Sequence, residues 1–305
     1  MDVSLRQLRM LRELSHRGTI AATADSLGYT PSAVSQQLAS LERSAGTAVL
    51  ERVGRNVRLT DAGRELVHHA GAVLERLEQA EAALQAVTGA VAGRLTVSSF
   101  ESMFRPVVAP VLARARERHP DLEISSTELD PDVALDAVDR GRIDLAVILD
   151  YPHAPGPRPA DVERHPLLVD RFELLVPEDD PLGPEPVALA DLAERDLIGA
   201  PSHFGCGRCV IQACRDAGFE PRIRHGIDTF PSAIHLAAAG AGVVLLPTLA
   251  LTELPDGVRV VPLVDRIERS VELAHRRASR GRPALDAVVE LFGEVVGDLD
   301  LAPSA

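Results

Sequence analysis

The stretch TIAATADSLGYTPSAVSQQLASLER, residues 19–43, decides how this chain is read. It holds two short helical patterns separated by Gly28-Tyr29. In the first, Ile20, Ala21, Ala24 and Leu27 recur at helical spacing behind Thr19, which stands where an N-cap belongs. Gly28 supplies the left-handed turn that other residues resist. Thr30-Pro31-Ser32 restarts the chain, with Thr30 as N-cap and Pro31 at the first helical position, where its missing N–H costs nothing. Val34, Leu38 and Leu41 give the second helix one apolar stripe, and Ser32, Ser35, Gln36 and Ser40 give it an opposite face of short hydroxyls and amides. A helix meant only for solvent usually carries Glu and Arg there. Hydroxyls and amides suit hydrogen bonding to base edges in a major groove. The stretch predicts a helix-turn-helix.

An ordinary α-hairpin would show the same periodicity, so the residues that follow carry weight. Residues 50–60, LERVGRNVRLT, alternate apolar and polar side chains around Gly54 and Asn56, a short hairpin pattern. Arg52, Arg55 and Arg58 line it, placed to meet phosphates beside the groove. With this wing on the page, residues 1–90 resemble the DNA-binding end of the LysR-type transcriptional regulators. The likeness rests on Leu8 to Leu14, Ala21-Ala22 with Ala24, Leu27, Pro31 to Ser35, Leu38, Leu41-Glu42, Leu50-Glu51-Arg52, and Leu59 to Gly63. It implies that Thr30, Pro31, Ser32, Ser35 and Gln36 face DNA. Many members carry Arg where Gln36 stands and Gln where Thr30 stands. Gln favours adenine and Arg guanine, so the family's base preference does not transfer.

Charge is divided unevenly along the 305 residues. The net charge is −13, yet residues 1–60 hold eight Arg against five acidic residues, and the remainder holds 24 Arg against 40. A basic head on an acidic body is the asymmetry of a DNA reader joined to a domain that does not touch DNA. The chain contains no Lys. No apolar run approaches the ~20 residues needed to span a bilayer, so no membrane partner is expected. The acid-bearing N-terminus lacks an apolar signal core, and a cytoplasmic location is expected.

From Thr60 the pattern becomes one long helix. Leu66, Ala70, Val73, Leu77, Ala80, Leu84 and Val87 follow at alternating steps of four and three, a heptad seam. Its natural partner is the same helix of a second chain, and the resemblance implies a homodimer or homotetramer built on it. The domain reading is therefore 1–60 for the winged helix-turn-helix, 61–90 for the linker helix and 91–305 for an effector-binding domain.

Beyond the small-residue stretch 89–93, strands and helices alternate, which predicts parallel α/β sheet with helices on both faces. Strands are expected at 94–98, 122–127, 143–148, 172–177, 197–200, 222–227, 243–246, 258–263 and 270–275. Helices are expected at 103–118, 133–140, 187–193, 206–217, 232–239 and 283–296, and a loop at 152–159. The order resembles the family's two-lobed, periplasmic-binding-protein-like effector domain, with lobe one at about 91–165 and 270–300 and lobe two at about 166–269. Residues 176–182 and 237–247 match family stretches, although Asp180 stands where His is usual.

Such sheets bind ligands where strands end and helices begin. That rule selects Ser98, Ser99 and Phe100, then Thr127 and Glu128, in lobe one. In lobe two it selects Ser202 and His203, then Thr229 and Phe230. Hydroxyls and free amides favour a small anionic or polar effector, a tendency that Glu128 opposes. Cys206, Cys209 and Cys214 with His203 offer an alternative, a redox- or metal-responsive regulator. A helix over these residues would separate Cys206 from Cys214 by about 12 Å at ~1.5 Å per residue, too far to wrap one ion, so no metal or other cofactor is expected. A transport solute-binding protein would share the lobes but not the helix-turn-helix. No nucleophile elbow, Walker loop or dinucleotide fingerprint points to an enzyme. The expected partners are a double-stranded DNA operator, a small-molecule effector and a second copy of the chain.

Overall fold

The computed structural model describes residues 2–54, 56–152, 156–252 and 254–299. They form two compact units, Met1–Gly89 with Ala278–Arg282, and Ala90–Arg277 with Pro283–Ala305.

In the first unit, α1 (Leu5–Arg17), α2 (Ile20–Leu27) and α3 (Pro31–Ala45) precede a hairpin of β1 (Leu50–Val53) and β2 (Asn56–Leu59), then the long α4 (Asp61–Thr88). Local chemistry sets each start. Ser4 and Gln7 cap α1 reciprocally, while the Thr19, Thr30 and Thr60 hydroxyls accept from Ala22, Ala33 and Gly63 amides. Gly28, at φ +67°, closes α2 in the left-handed conformation. Met10, Leu11, Leu14, Ala24, Val34, Leu38, Leu41 and Val49 form one small core.

The second unit has two lobes. Lobe one contains β3 (Gly93–Ser99), α5 (Glu101–Met103), a π-turn at Phe104–Val108, α6 (Ala109–Arg118), β4 (Leu122–Glu128), α7 (Pro131–Asp139) and β5 (Leu145–Asp150). Pro106 sits inside that π-turn and cannot donate an α-helical hydrogen bond, which favours the local widening. The chain then runs along β6 (Val162–Pro177) into lobe two. There β7 (Asp196–Gly199), α8 (Gly205–Asp216), β8 (Arg222–Gly226), α9 (Phe230–Ala238), β9 (Val243–Pro247) and β10 (Val258–Val261) follow. It returns along β11 (Glu268–Arg276) and ends in α10 (Pro283–Gly297).

The strand order is β4-β3-β5-β11-β6-β9-β7-β8, with β10 also on β6. The expected parallel sheet holds only within each lobe, where β3 pairs β4 and β5, and β7 pairs β8 and β9. The two crossing strands run antiparallel to each other and to their neighbours β5 and β9, so the whole sheet is mixed. The 16-residue β6 begins ten residues before the strand expected at 172–177. The helix expected at 187–193 is a single 3₁₀ turn, Leu189–Leu192. The loop expected at 152–159 lies partly outside the described residues. Each lobe packs helices on both sheet faces: α6 and α10 against α7 in lobe one, α8 against α9 in lobe two.

Gly63 marks the tightest joint of the first unit. A Cβ there would fall 2.1 Å from the Val49 carbonyl oxygen and 3.2 Å from Leu59 Cδ2. Backbone cannot yield as a flexible side chain would. Gly63→Ala should therefore destabilise the unit by at least about 1–3 kcal/mol, the usual cost of overpacking, and lower its melting temperature. An unchanged transition would show that α4 is not seated against Val49 in this way.

Candidate functional sites

In the first unit, the second helix of the motif is gripped from one side only. Val34, Leu38 and Leu41 are fully buried, whereas Pro31, Ser32, Ser35 and Gln36 are exposed on the opposite face. The first turn of α3 carries no acidic residue, so its free amides meet no competing carboxylate. Thr30 has its oxygen occupied as the Ala33 cap, which makes it a structural member of the site first. In the wing, Arg52 is exposed, while Arg58 pairs with Glu51 at 2.6 Å across the hairpin. Arg55 lies outside the described residues. Glu42 was not selected from sequence. Its Oε1 accepts the Val49 and Leu50 amides, both at 3.0 Å, and so ties the start of the wing to α3.

In the second unit, the lobes face each other across a cavity of about 340 Å³. Of the residues selected from sequence, Phe100, Glu128, Thr229 and Phe230 line it. Ser98, Ser99, Thr127, Ser202 and His203 do not. Ser98 and Ser99 lie on the central strand of lobe one, flanked by β4 and β5, and are fully buried with unpartnered hydroxyls. Thr127, Ser202 and His203 are exposed and do not line the cavity, and the His203 ring lies tilted against Phe204 with ring centroids 4.3 Å apart. The strand-end rule thus selects four residues that line the cavity and five that do not.

The back of the cavity is built on a buried ion pair. Arg269 of β11 is 1% exposed; its guanidinium meets Asp170 of β6 at 2.7 Å, donates to Ser102 Oγ at 2.7 Å and lies 5.2 Å from the centre of the Phe100 ring. Burial opposes the guanidinium charge, but the Asp170 carboxylate leads the groups that outweigh it and hold the Arg269 pKa above its ordinary value. Burial also raises the Asp170 carboxyl, against the pull of Arg269 and of the Leu249 and Thr248 amides. Tyr151, beside them, is pushed well above the usual phenol range by burial and stays neutral.

The cavity mouth is acidic. Glu101, Glu128, Asp130, Asp132 and Asp228 line it, and the cation among its described lining residues, Arg269, is already paired. Burial raises the Glu101 pKa, the Phe230 amide lowers it, and repulsion from Glu128 and Asp228 raises it again. Phe100, Leu149, Tyr151, Phe204 and Phe230 supply apolar wall. The arrangement can hold a small molecule with a cationic nitrogen and an apolar body, the reverse of the anionic tendency read from sequence.

Cys206 also lines this cavity. It lies in the first turn of α8, where two glycines permit close approach: a Cβ on Gly205 would lie 2.7 Å from the Tyr151 ring, and one on Gly207 2.4 Å from the Ala200 and Pro201 carbonyls. Burial raises the thiols, Cys206 and Cys214 to about 11 and Cys209 to about 12. They remain protonated near neutrality, which disfavours nucleophilic redox chemistry and thiolate ligation. Among the described residues these cysteines do not gather with His203 into a ligand set.

Comparison with known proteins agrees with both halves. Residues 5–64 match the model of the bacterial regulatory helix-turn-helix proteins of the lysR family, and residues 88–297 match the LysR substrate binding domain. The RuBisCO operon transcriptional regulator of Allochromatium vinosum is 30% identical over 300 residues, covering 95% of each chain. Among solved structures, a full-length OxyR variant from Pseudomonas aeruginosa superposes with a TM-score of 0.70 at 20% identity, covering 99% of this chain and 97% of that one. A peroxide-bound OxyR variant from Corynebacterium glutamicum gives 0.62 at 21%, covering 98% and 94%; these two show likeness of fold. A helix-turn-helix with a wing, followed by two lobes around a cavity, thus coincides with matches covering almost the whole chain: the protein belongs to the family of LysR-type transcriptional regulators.

Proposed function

We propose that this regulator reads operator DNA through the exposed face of α3 and the wing, and is switched by a small effector bearing a cationic nitrogen bound between its lobes. The observation that carries the effector reading is the set of five carboxylates around a cavity whose lining cation is already committed to Asp170. An anionic ligand would meet net repulsion there, since Arg208 answers only Asp132. An ammonium or amidinium group would be paired with Glu101, Glu128 or Asp228, and its apolar body would meet Phe100, Phe204 and Phe230. The peroxide seen in one OxyR structure motivates a redox alternative for this chain, but the raised thiol pKa values favour a packing role for the three cysteines.

Self-association is supported by the division of labour along α4. Leu66 and Ala70 serve the packing of their own unit, whereas Val73, Leu84 and Val87 are 46%, 71% and 87% exposed in the single chain. An apolar edge of that kind needs cover. The reading is of paired α4 helices in a dimer, which presents two α3 helices to one operator.

Three measurements bear on these readings. In gel shifts, Gln36→Ala should weaken specific binding and relax base preference by about 1–3 kcal/mol, while Arg52→Ala should lower affinity evenly across sequences and flatten the salt slope. Operator discrimination left intact by Gln36→Ala would place base reading elsewhere. By light scattering, Leu84→Asp should dissociate the dimer at concentrations where the parent is associated; a dimer of undiminished stability would move the interface off this edge.

For the effector, thermal stabilisation by 1,4-diaminobutane and phenethylamine is compared with that by succinate and phenylacetate. The amines should raise the melting temperature and the matched carboxylates should not. The amine effect should weaken as pH falls, because cation binding requires ionised carboxylates and the raised Glu101 takes up a proton before an ordinary one. Glu101→Gln should remove about 1.5–3 kcal/mol of binding and much of that pH dependence. Stabilisation by the carboxylates alone would overturn the cationic reading.

A further inference from the structure

Outside the cavity and the DNA face, one group of side chains among the described residues carries the donor set and spacing of a metal centre. Glu163 and His165 stand two residues apart on β6, and His275 stands on β11 directly opposite Glu163. Pleating puts all three on one sheet face, away from the Arg164–Glu272 ion pair that occupies the other. The two imidazole Nε2 atoms are 2.9 Å apart, Glu163 Oε1 is 4.0 Å from His165 Nε2, and one potential ligand atom from each residue lies within 4.8 Å of the others. Tetrahedral zinc ligands at ~2.05 Å from the ion sit about 3.3 Å from one another, so shifts of roughly 1 Å would complete the shell.

Two further details fit a ligand role. His275 Nδ1 lies 2.9 Å from the Arg276 carbonyl oxygen. A proton on Nδ1 donated to that carbonyl leaves the Nε2 lone pair directed at the cluster, the outer hydrogen bond typical of metal-bound histidine. Glu163 Oε2 is buried without a hydrogen-bond partner. A buried carboxylate oxygen without a donor is costly, and a cation would remove the cost. The His165 side chain is 40% exposed, which leaves room for water at a fourth position.

We propose that Glu163, His165 and His275 form a binding site for a divalent transition ion of the zinc class, pinning the two strands that cross between the lobes. Imidazole and carboxylate ligands suit zinc, copper and nickel over magnesium or calcium. Arg269 and Asp170 tie the same two strands together farther along the ladder. An ion here would fix one end of the ladder whose other end forms the back of the cavity. Without an ion, the alternative is a proton shared between the two imidazoles.

The test is titration of untagged, chelator-stripped full-length protein with Zn²⁺ against a competing chelating dye, with melting temperature followed in parallel. The expected result is one tight equivalent per chain and a Zn²⁺-dependent rise in melting temperature. His165→Ala and Glu163→Gln should each weaken Zn²⁺ binding by more than the ~10–100-fold that loss of an outer hydrogen-bond partner costs, and should abolish the thermal shift. His165 is half-exposed, so its replacement should leave the fold intact even if His275→Ala does not. A parent protein without a tight equivalent, or affinity unchanged within about twofold in both variants, would overturn the site in favour of the shared proton. Zn²⁺ bound tightly through the cysteines or His68 and His69 would survive both substitutions and would equally overturn it.

Discussion

The buried ion pair between Arg269 and Asp170 is the interaction on which the effector unit turns. Both side chains are essentially inaccessible, and each sits on one of the two strands that cross between the lobes. Removing either partner would strand the other charge in a low-dielectric interior, a change that typically costs about 3–5 kcal/mol. The pair is also fully employed. Asp170 accepts the Leu249 amide at 3.2 Å, and Arg269 donates to Ser102 and lies near the Phe100 ring. Segments from lobe one, lobe two and both crossing strands therefore meet at one ion pair. It contributes no net positive charge to the cavity in front of it, and the cavity takes its character from the carboxylates at the mouth.

Those carboxylates have structural work as well. Asp130 accepts the Asp132 amide and caps α7, and Glu101 lies 3.5 Å from the Phe230 amide at the start of α9. Helix N-termini that would attract an anionic ligand are thus already faced by the chain's own acids. On the cationic reading proposed above, this is why helix starts in the cavity would not favour an anion. One of these acids, Asp130, is the local cap of its own helix, whereas Glu101 reaches the Phe230 amide from 129 residues away.

The first unit was legible because its determinants are local. Thr19, Thr30 and Thr60 each cap the helix that begins at the next residue, and the apolar stripe of α3 lies within eight residues. The cavity was legible only in outline. Phe100, Glu128, Thr229 and Phe230 sit at element boundaries that periodicity can find, whereas Arg269 reaches the site through its pairing with Asp170, 99 residues away, and Tyr151 follows a strand end that pairs Asp150 with Ser270. The early half of β6 was hidden by Pro166, which breaks the alternation expected of a strand. It is tolerated because this part of β6 is an edge: β11 pairs with it on one side, and β9 pairs only from Phe172 onward. The heptad seam of α4 reads as uniform, yet its early positions are consumed by the unit's own core and its later ones are exposed. Spacing alone cannot separate those fates.

The lobes are also joined across the cavity mouth by Arg208 of α8, which meets Asp132 of α7 at 3.1 Å and the His203 carbonyl at 2.8 Å. Both charged side chains are well exposed, at 39% and 52%, so the pair is worth at most about 1 kcal/mol. A cationic effector at Asp132 would compete with Arg208 for the same carboxylate and gain the apolar wall besides. Binding then exchanges an internal cation for an external one at little electrostatic cost. What would change is that Asp132 is held by the ligand and no longer by Arg208, which frees α7 from α8. A ligand shifts a conformational equilibrium only through differential contacts of this kind. The weak surface pair at the mouth is therefore better suited to be the moving part than the buried pair behind it.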